Sequence, residues 1–314
     1  MNNVQSKTNK IERFKQLLVL TEFDKRNIRH KMKEYYGEYV NDDTLYNDDY
    51  SKLKNKINQN NRPNKSESVG PRNIMKFKQS IYTNELKKII TFLLRNLEQF
   101  LSFESIILYI AKQRKIIELL KLNLTIYELF GEFRGTVVYN RKYNTMSPII
   151  HSKGKHLISN ITNKYETNNC KYKNKQLTII RNVGKEKCIY GLHWIHTPPE
   201  LILELLQEMN EIYEEFKSSI RNRNNIEKSK QLLSKLYWLY MQACPFRRGT
   251  ASIGEIIFSV LLQRHFKCDF KLFRESYQPH IIPDIHALTY PLEHFQSIFW
   301  DQFVSCSNKN NNNK

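Results

Sequence analysis

Glycine and proline are scarce, nine of each in 314 residues, and their scarcity excludes a sandwich or barrel of many short strands, which needs a tight turn every few residues. Helices joined by polar loops are the alternative. No run approaches the ~18 apolar residues of a membrane span, and the opening stretch Met1 to Lys7 lacks the apolar segment of a secretory signal. Cysteine is sparse too. Cys170, Cys188, Cys244, Cys268 and Cys306 are odd in number and widely spaced, without a Cys-x-x-Cys pair, so neither a disulfide framework nor a structural zinc site is readable from them. These absences predict a soluble protein of a reducing, cytoplasmic compartment. Secretion as an effector, by a signal that composition does not encode, is the alternative.

What is present is enough to fold: hydrophobic residues make up 40% of the chain and aromatics 12%, as in packed globular proteins. The formal net charge is +19, a value that suggests nucleic acid, anionic lipid or phosphorylated ligands. Its distribution argues against nucleic acid. Lys and Asn recur throughout, and no one element interleaves basic residues with the aromatics on which bases stack.

Apolar spacing organises the chain. Ile11, Phe14, Leu17, Leu18 and Leu20, followed by Tyr35, Tyr36 and Tyr39, predict one long or two shorter amphipathic helices over residues 1–40. Residues 41–72, rich in Asn, Asp, Lys and Ser with Pro63 and Pro71, read as a flexible linker. A domain over 73–304 follows, with two or three core helices from Ile74 to Leu129 and a break capped by Ser102 or Ser105. Leu177 to Val183 and Cys188 to Trp194 are β-prone runs joined by Gly184-Lys-Glu-Lys187, a hairpin signature. After Pro198-Pro199 the apolar period becomes helical, with Thr197 as N-cap and Pro198 in the first turn. A second helix runs from Ser229 to Ala243. The C-terminal part carries Pro279, Pro283 and Pro291, a helix from Leu292 to Phe303, and a polar tail, residues 305–314, read as disordered.

The strongest local constellation is Cys244-Pro-Phe-Arg-Arg-Gly-Thr-Ala-Ser252. Pro245 ends the incoming helix, Gly249 allows a left-handed turn, and Thr250 or Ser252 can cap the outgoing helix. Free backbone N–H groups at that helix start, together with Arg247 and Arg248, form a competent phosphate site.

The order hairpin, Pro-Pro helix, polar loop, helix, then x-Pro-Phe-x-x-Gly opening another helix resembles the Fic (Fido) family, whose signature is His-Pro-Phe-x-Asp/Glu-Gly-Asn-Gly-Arg. Pro245, Phe246 and Gly249 match it, and the likeness covers about 90 residues, roughly 180 to 265. The resemblance implies a mainly α, Fic-like helical bundle with one small β-hairpin flap at 177–194 that docks a protein substrate or partner. It also implies ATP or another nucleotide at Arg247, Arg248, Gly249 and Thr250, and transfer of AMP or a related group to a protein hydroxyl. The departures bear on chemistry. Cys244 stands where the family has its basic histidine and is a poor base unless its pKa is lowered. Arg248 stands where an acid holds the divalent metal, so no metal is expected. Ser252 stands where an arginine grips phosphate.

Two other readings compete. With these replacements the chain can be a non-catalytic interaction module that pairs a peptide with the hairpin. Alternatively, Arg248-Gly-Thr-Ala-Ser252 with a downstream histidine is similar to toxin and effector AMP-transferases that use a Ser and a His-x-x-x-Glu motif. That reading makes Ser252 and His280 catalytic and requires His280 to reach Ser252. The downstream spacing is His280 to Asp284, whereas His30 to Glu34 and His196 to Glu200 lie upstream. Plain structural roles are available as well: a buried small hydrophobe for Cys244, solvated loop charges for Arg247 and Arg248, and a helix cap for Ser252. His193 and His196, without a third ligand, make a weak metal pair.

Overall fold

The computed structural model describes residues 12–14, 16–37, 40, 50–60, 71–130, 132–134, 145–146, 169–182, 192–222, 225–271 and 283–306. It is mainly α-helical with a small antiparallel hairpin, as the scarcity of turn residues predicts.

The helices are α1 (Glu22–Tyr36), α2 (Tyr50–Asn60), α3 (Pro71–Asn96), α4 (Phe103–Leu120) and α5 (Leu124–Leu129). They continue with α6 (Pro199–Arg221), α7 (Ile226–Ala243), α8 (Thr250–Phe266), α9 (Pro283–Thr289) and α10 (Leu292–Ile298), which runs on into a π-helical turn, Phe299–Phe303. A sheet of β1 (Thr145–Met146), β2 (Asn169–Tyr172), β3 (Lys175–Asn182) and β4 (Leu192–Ile195) has the order β1-β4-β3-β2, and β5 (Cys268–Phe270) pairs with β6 (Val304–Cys306).

The centre of the bundle is α6 against α7. Ile202, Leu205, Leu206, Met209, Ile212, Tyr213 and Phe216 of α6 are buried at helical spacing, and nearly the whole inner face of α7 from Leu232 to Ala243 joins them. Each such side chain contributes about 1.5–3 kcal/mol on leaving water. Helix α8 is apolar nearly all round, from Ile253 to Leu262, because α4, α3 and α7 pack around it.

Ser102 is the N-cap of α4, and Ser105 is its reciprocal partner in a capping box; the two serines, read as alternatives, act together. Thr197 does not cap α6. Its hydroxyl donates to the Gln242 carbonyl at 2.6 Å, and Pro198 occupies the cap position. The reason is the buried end of α7, whose last carbonyls need donors more than the start of α6 does. Gly249 is the N-cap of α8, without a side-chain cap from Thr250 or Ser252.

Further features add to or differ from the sequence reading. The segment read as linker contains α2, with Tyr50 and Leu53 buried. With the partly buried Ile57 they join Ile28, Met32 and Tyr36 of α1 on Ile81, Ile116 and Leu120, so three apolar residues at helical spacing suffice when a neighbouring surface receives them. Helix α1 is docked rather than separate: the Tyr36 hydroxyl donates to the Leu120 carbonyl at 2.7 Å, and Lys112 pairs with Asp24 at 2.6 Å. The hairpin register pairs Asn182 with Leu192 and Ile179 with Ile195, and residues 183–191 between them lie outside the described residues. The connection read at 184–187 falls within that stretch, and the β-prone run 135–139 is outside the described residues too. Finally, Cys268 and Cys306 face each other across β5 and β6 and are disulfide-bonded, a pairing of residues 38 apart in sequence that spacing alone does not encode.

Candidate functional site

Helix α7 ends at Cys244, which takes a left-handed conformation (φ 43°, ψ 61°) and donates its N–H to the Tyr240 carbonyl. The chain then turns through Pro245 to Gly249 and enters α8. Gly249 also has positive φ, 98°, and a Cβ on it would run into the Phe130 ring. Both demands are specific to glycine. Residues 130 and 132–134 run alongside this turn: Arg134 N–H donates to Pro245 O at 2.8 Å, and Arg247 N–H to Glu132 O at 2.9 Å. The Thr250 hydroxyl accepts from Phe246 N–H and donates to Phe246 O, each at 3.2 Å. The turn is thus built by its own side chains before any ligand is considered.

This geometry divides the residues singled out from the sequence. Arg247 is turned away, its guanidinium paired with Glu132 at 2.8 Å, so it does not converge with Arg248 on one point. Thr250 is buried inside the turn. The carboxylate of Glu132, whose place in the chain makes it look like a loop charge, accounts for the first, and the two orphan polar groups of Phe246 account for the second. Arg248, Gly249 and Ser252 do share a surface, one wall of an open cleft of about 430 Å³ whose other walls include Arg114, Glu118, Lys121, Ile126 and Phe130. The Ser252 hydroxyl donates to Gly249 O at 3.1 Å. His280 lies outside the described residues, so its approach to Ser252 does too. His30 and Glu34 are an exposed pair on α1 at 3.2 Å, a solvated helix face.

The residue that sequence reasoning missed is Arg114. It lies in the middle of α4 and is 5% exposed, with its guanidinium over the rings of Tyr82 at 4.6 Å and Phe130 at 5.0 Å. Its nearest carboxylate, Glu118, is 3.5 Å away and already accepts from Lys121 Nζ at 3.1 Å and Asn123 Nδ2 at 3.1 Å. The Nε and Nη1 atoms of Arg114 have no hydrogen-bond partner. A buried guanidinium with two unsatisfied donors is costly, and it stands at the cleft that the first turn of α8 opens into. The N–H groups of that first turn have no intrahelical acceptor, and the helix dipole adds partial positive charge there.

One turn along α8 from Ser252, burial and then the Asp284 carboxylate push the Glu255 carboxyl up to about 7, against the opposing pull of Arg114. Burial raises Asp284 as well. The Tyr237 hydroxyl, wholly buried and influenced by both acids, has no hydrogen-bond partner.

On the other side of the turn lies a second cluster. The buried Arg134 guanidinium bridges three carbonyls, donating to Cys244 O at 2.9 Å, Ala243 O at 3.3 Å and Thr197 O at 2.8 Å. Cys244 and His196 meet there, and neither lines the cleft. Among the described residues no group of three His, Cys, Asp or Glu is arranged to hold a metal ion, and no helix is long and apolar enough to cross a membrane.

No protein family matches this chain, and no curated protein matches it.

Proposed function

We propose that the protein is a divergent, Fic-like binder of a nucleotide or other phosphate-bearing ligand, held in the cleft between α4 and the start of α8. The observation that carries this reading is the Arg114 guanidinium, which lines this cleft beside a helix N-terminus and has two buried donors, Nε and Nη1, without a partner. Phosphate supplies what those donors lack: several acceptor oxygens, full charge and a geometry that matches a guanidinium fork. Arg248 and Lys121 line the same cleft and extend the positive field along a polyphosphate. A cation at position 248 takes over the charge that a metal supplies in the Fic signature.

The same reading puts transfer of AMP or a related group second to binding. The thiol at the signature's histidine position lies off the cleft, and Ser252 already donates to Gly249. The non-catalytic alternative, in which the hairpin takes a peptide by strand addition, is constrained by the sheet order. Strand β3 is paired on both sides at Ile179, and β4 over Trp194 and Ile195, so among the described residues the outer strands of the sheet are β1 and β2.

Calorimetric titration of the full chain with ATP, inorganic pyrophosphate and adenosine tests the proposal. ATP and pyrophosphate are expected to bind, and adenosine to bind at least about tenfold more weakly, the loss of one charge-assisted contact or more. Adenosine binding as tightly as ATP would remove the phosphate site from the account.

A further inference from the structure

The pair formed by Cys244 and His196 is not used by the phosphate cleft, and its construction calls for a separate explanation. Cys244 is held in a left-handed conformation at the end of α7, and it remains partly open to solvent. Its sulfur lies 3.7 Å from the Thr250 hydroxyl and 4.0 Å from the Phe246 carbonyl. His196 follows β4 and is fixed beside it because the hydroxyl of the next residue, Thr197, donates to the Gln242 carbonyl of α7, and the Thr197 carbonyl accepts from the same Arg134 guanidinium that donates to Ala243 and Cys244. His196 is 8% exposed, yet its Nδ1 has no hydrogen-bond partner. An imidazole placed only to fill the core ordinarily satisfies its nitrogens. This one is buried, half unsatisfied, and set against a thiol.

We propose that Cys244 and His196 form a thiol–imidazole pair that reacts with small-molecule disulfides, so that Cys244 is a site of reversible mixed-disulfide formation. His196 takes the thiol proton, and the Cys244 sulfur attacks one sulfur of the small disulfide. As the new S–S bond forms the old one breaks, and the departing thiolate takes the proton back from the imidazolium. One disulfide replaces another; the small disulfide is the oxidant, one half of it staying on Cys244 and the other leaving as a thiol.

The surroundings select this chemistry over acyl transfer. An acyl intermediate needs a free donor for its oxyanion. Arg134 is occupied by three carbonyls and the Thr250 hydroxyl by Phe246, whereas thiol–disulfide exchange requires only a thiolate and the return of a proton. The groups facing the sulfur are His196 from the β4–α6 connection, Arg134 from residues 132–134, Thr250 from α8 and the buried Tyr240 hydroxyl-bearing ring from α7. Burial pushes the thiol up, but His196 by charge and hydrogen bond, then Arg134 and Thr250, outweigh burial and bring it down to about 6.

The test is alkylation by iodoacetamide and adduct formation with oxidised glutathione on the folded, full-length protein between pH 4.5 and 9, read at the Cys244 peptide by mass spectrometry. Peptide resolution keeps Cys170 and Cys188 apart from it. The alkylation rate at Cys244 is expected to reach half its maximum near pH 6, and glutathione is expected to add at pH 7. In His196→Gln the midpoint should move up towards ~8, and exchange at pH 6 should slow about tenfold, lower thiolate content being partly offset by greater nucleophilicity. A wild-type midpoint at 8 or above, or modification of Cys244 only after unfolding, would overturn the proposal without reference to the variant. An unshifted midpoint in a folded His196→Gln protein would overturn the role of the pair.

Discussion

Replacing Arg114 with methionine should weaken pyrophosphate and nucleotide binding at least about a hundredfold, because two charge-assisted hydrogen bonds are removed at about 1.5–3 kcal/mol for each. The same substitution should leave the unliganded protein at least as stable as the wild type. The Arg114 guanidinium sits between Tyr82 and Phe130 with Nε and Nη1 unsatisfied, and a hydrophobe of similar length removes that burden. Exchanges of buried charge for apolar side chains are neutral or stabilising by about 1–4 kcal/mol. Glu118 is not orphaned by the change, since Lys121 and Asn123 continue to hold it. A structural arginine behaves in the opposite way. Loss of several kcal/mol in urea unfolding with ligand binding intact would mean that Arg114 holds the bundle together and that the cleft has another purpose.

The second large effect is a pH dependence of stability centred on Glu255. Its folded pKa of about 7 lies above the ordinary value of 4.5, raised first by burial and then by Asp284. A group raised on folding contributes fully below its unfolded pKa, and its contribution is lost as pH rises through the folded value. Stability should therefore fall between about pH 4.5 and pH 7, and Asp284, raised in the same direction, adds to the fall. Glutamine at position 255 is neutral throughout. Glu255→Gln should match the wild type near pH 4.5 and exceed it at pH 8 by about 2–3.5 kcal/mol, the upper end being the full shift from 4.5 to about 7 at about 1.36 kcal/mol per pH unit. Denaturant unfolding at the two pH values measures it. A wild type that gains stability over this interval would show that Glu255 is ionised and paired in the folded state.

Local chemistry made the frame of this site legible in the sequence. Pro245 and Gly249 required a break and a left-handed turn between two helices, and the structure has both. Ser102 and Ser105 marked the start of α4 for the same reason: capping is a property of a few neighbouring residues. The convergence on the cleft was not legible. Arg114 stands 138 residues upstream of Ser252 (252 − 114), and one arginine in an apolar helix carries no periodic signal that it faces a distant turn. Arg247 and Arg248, adjacent and alike in sequence, part company because Glu132 captures one of them. His196 was visible only as half of two spacing patterns, His-x-x-His and His-x-x-x-Glu. Its partner is Cys244, 48 residues on (244 − 196), brought to it by the bonds from Thr197 and Arg134 to the end of α7. Helix α2 shows the limit of composition as a guide. An Asn- and Lys-rich segment with a buried Tyr50 and Leu53 folds when α1 and α4 offer it a surface.

The most direct test of the phosphate cleft is where a ligand is felt. In an NMR titration of the isotope-labelled chain with pyrophosphate, the backbone amides of Thr250, Ala251 and Ser252 and the Nε–H of Arg114 should shift together and saturate at one ligand concentration, because helix N-termini and the buried guanidinium share the anion. Saturable shifts confined to other parts of the molecule, with these four signals unmoved, would contradict the account.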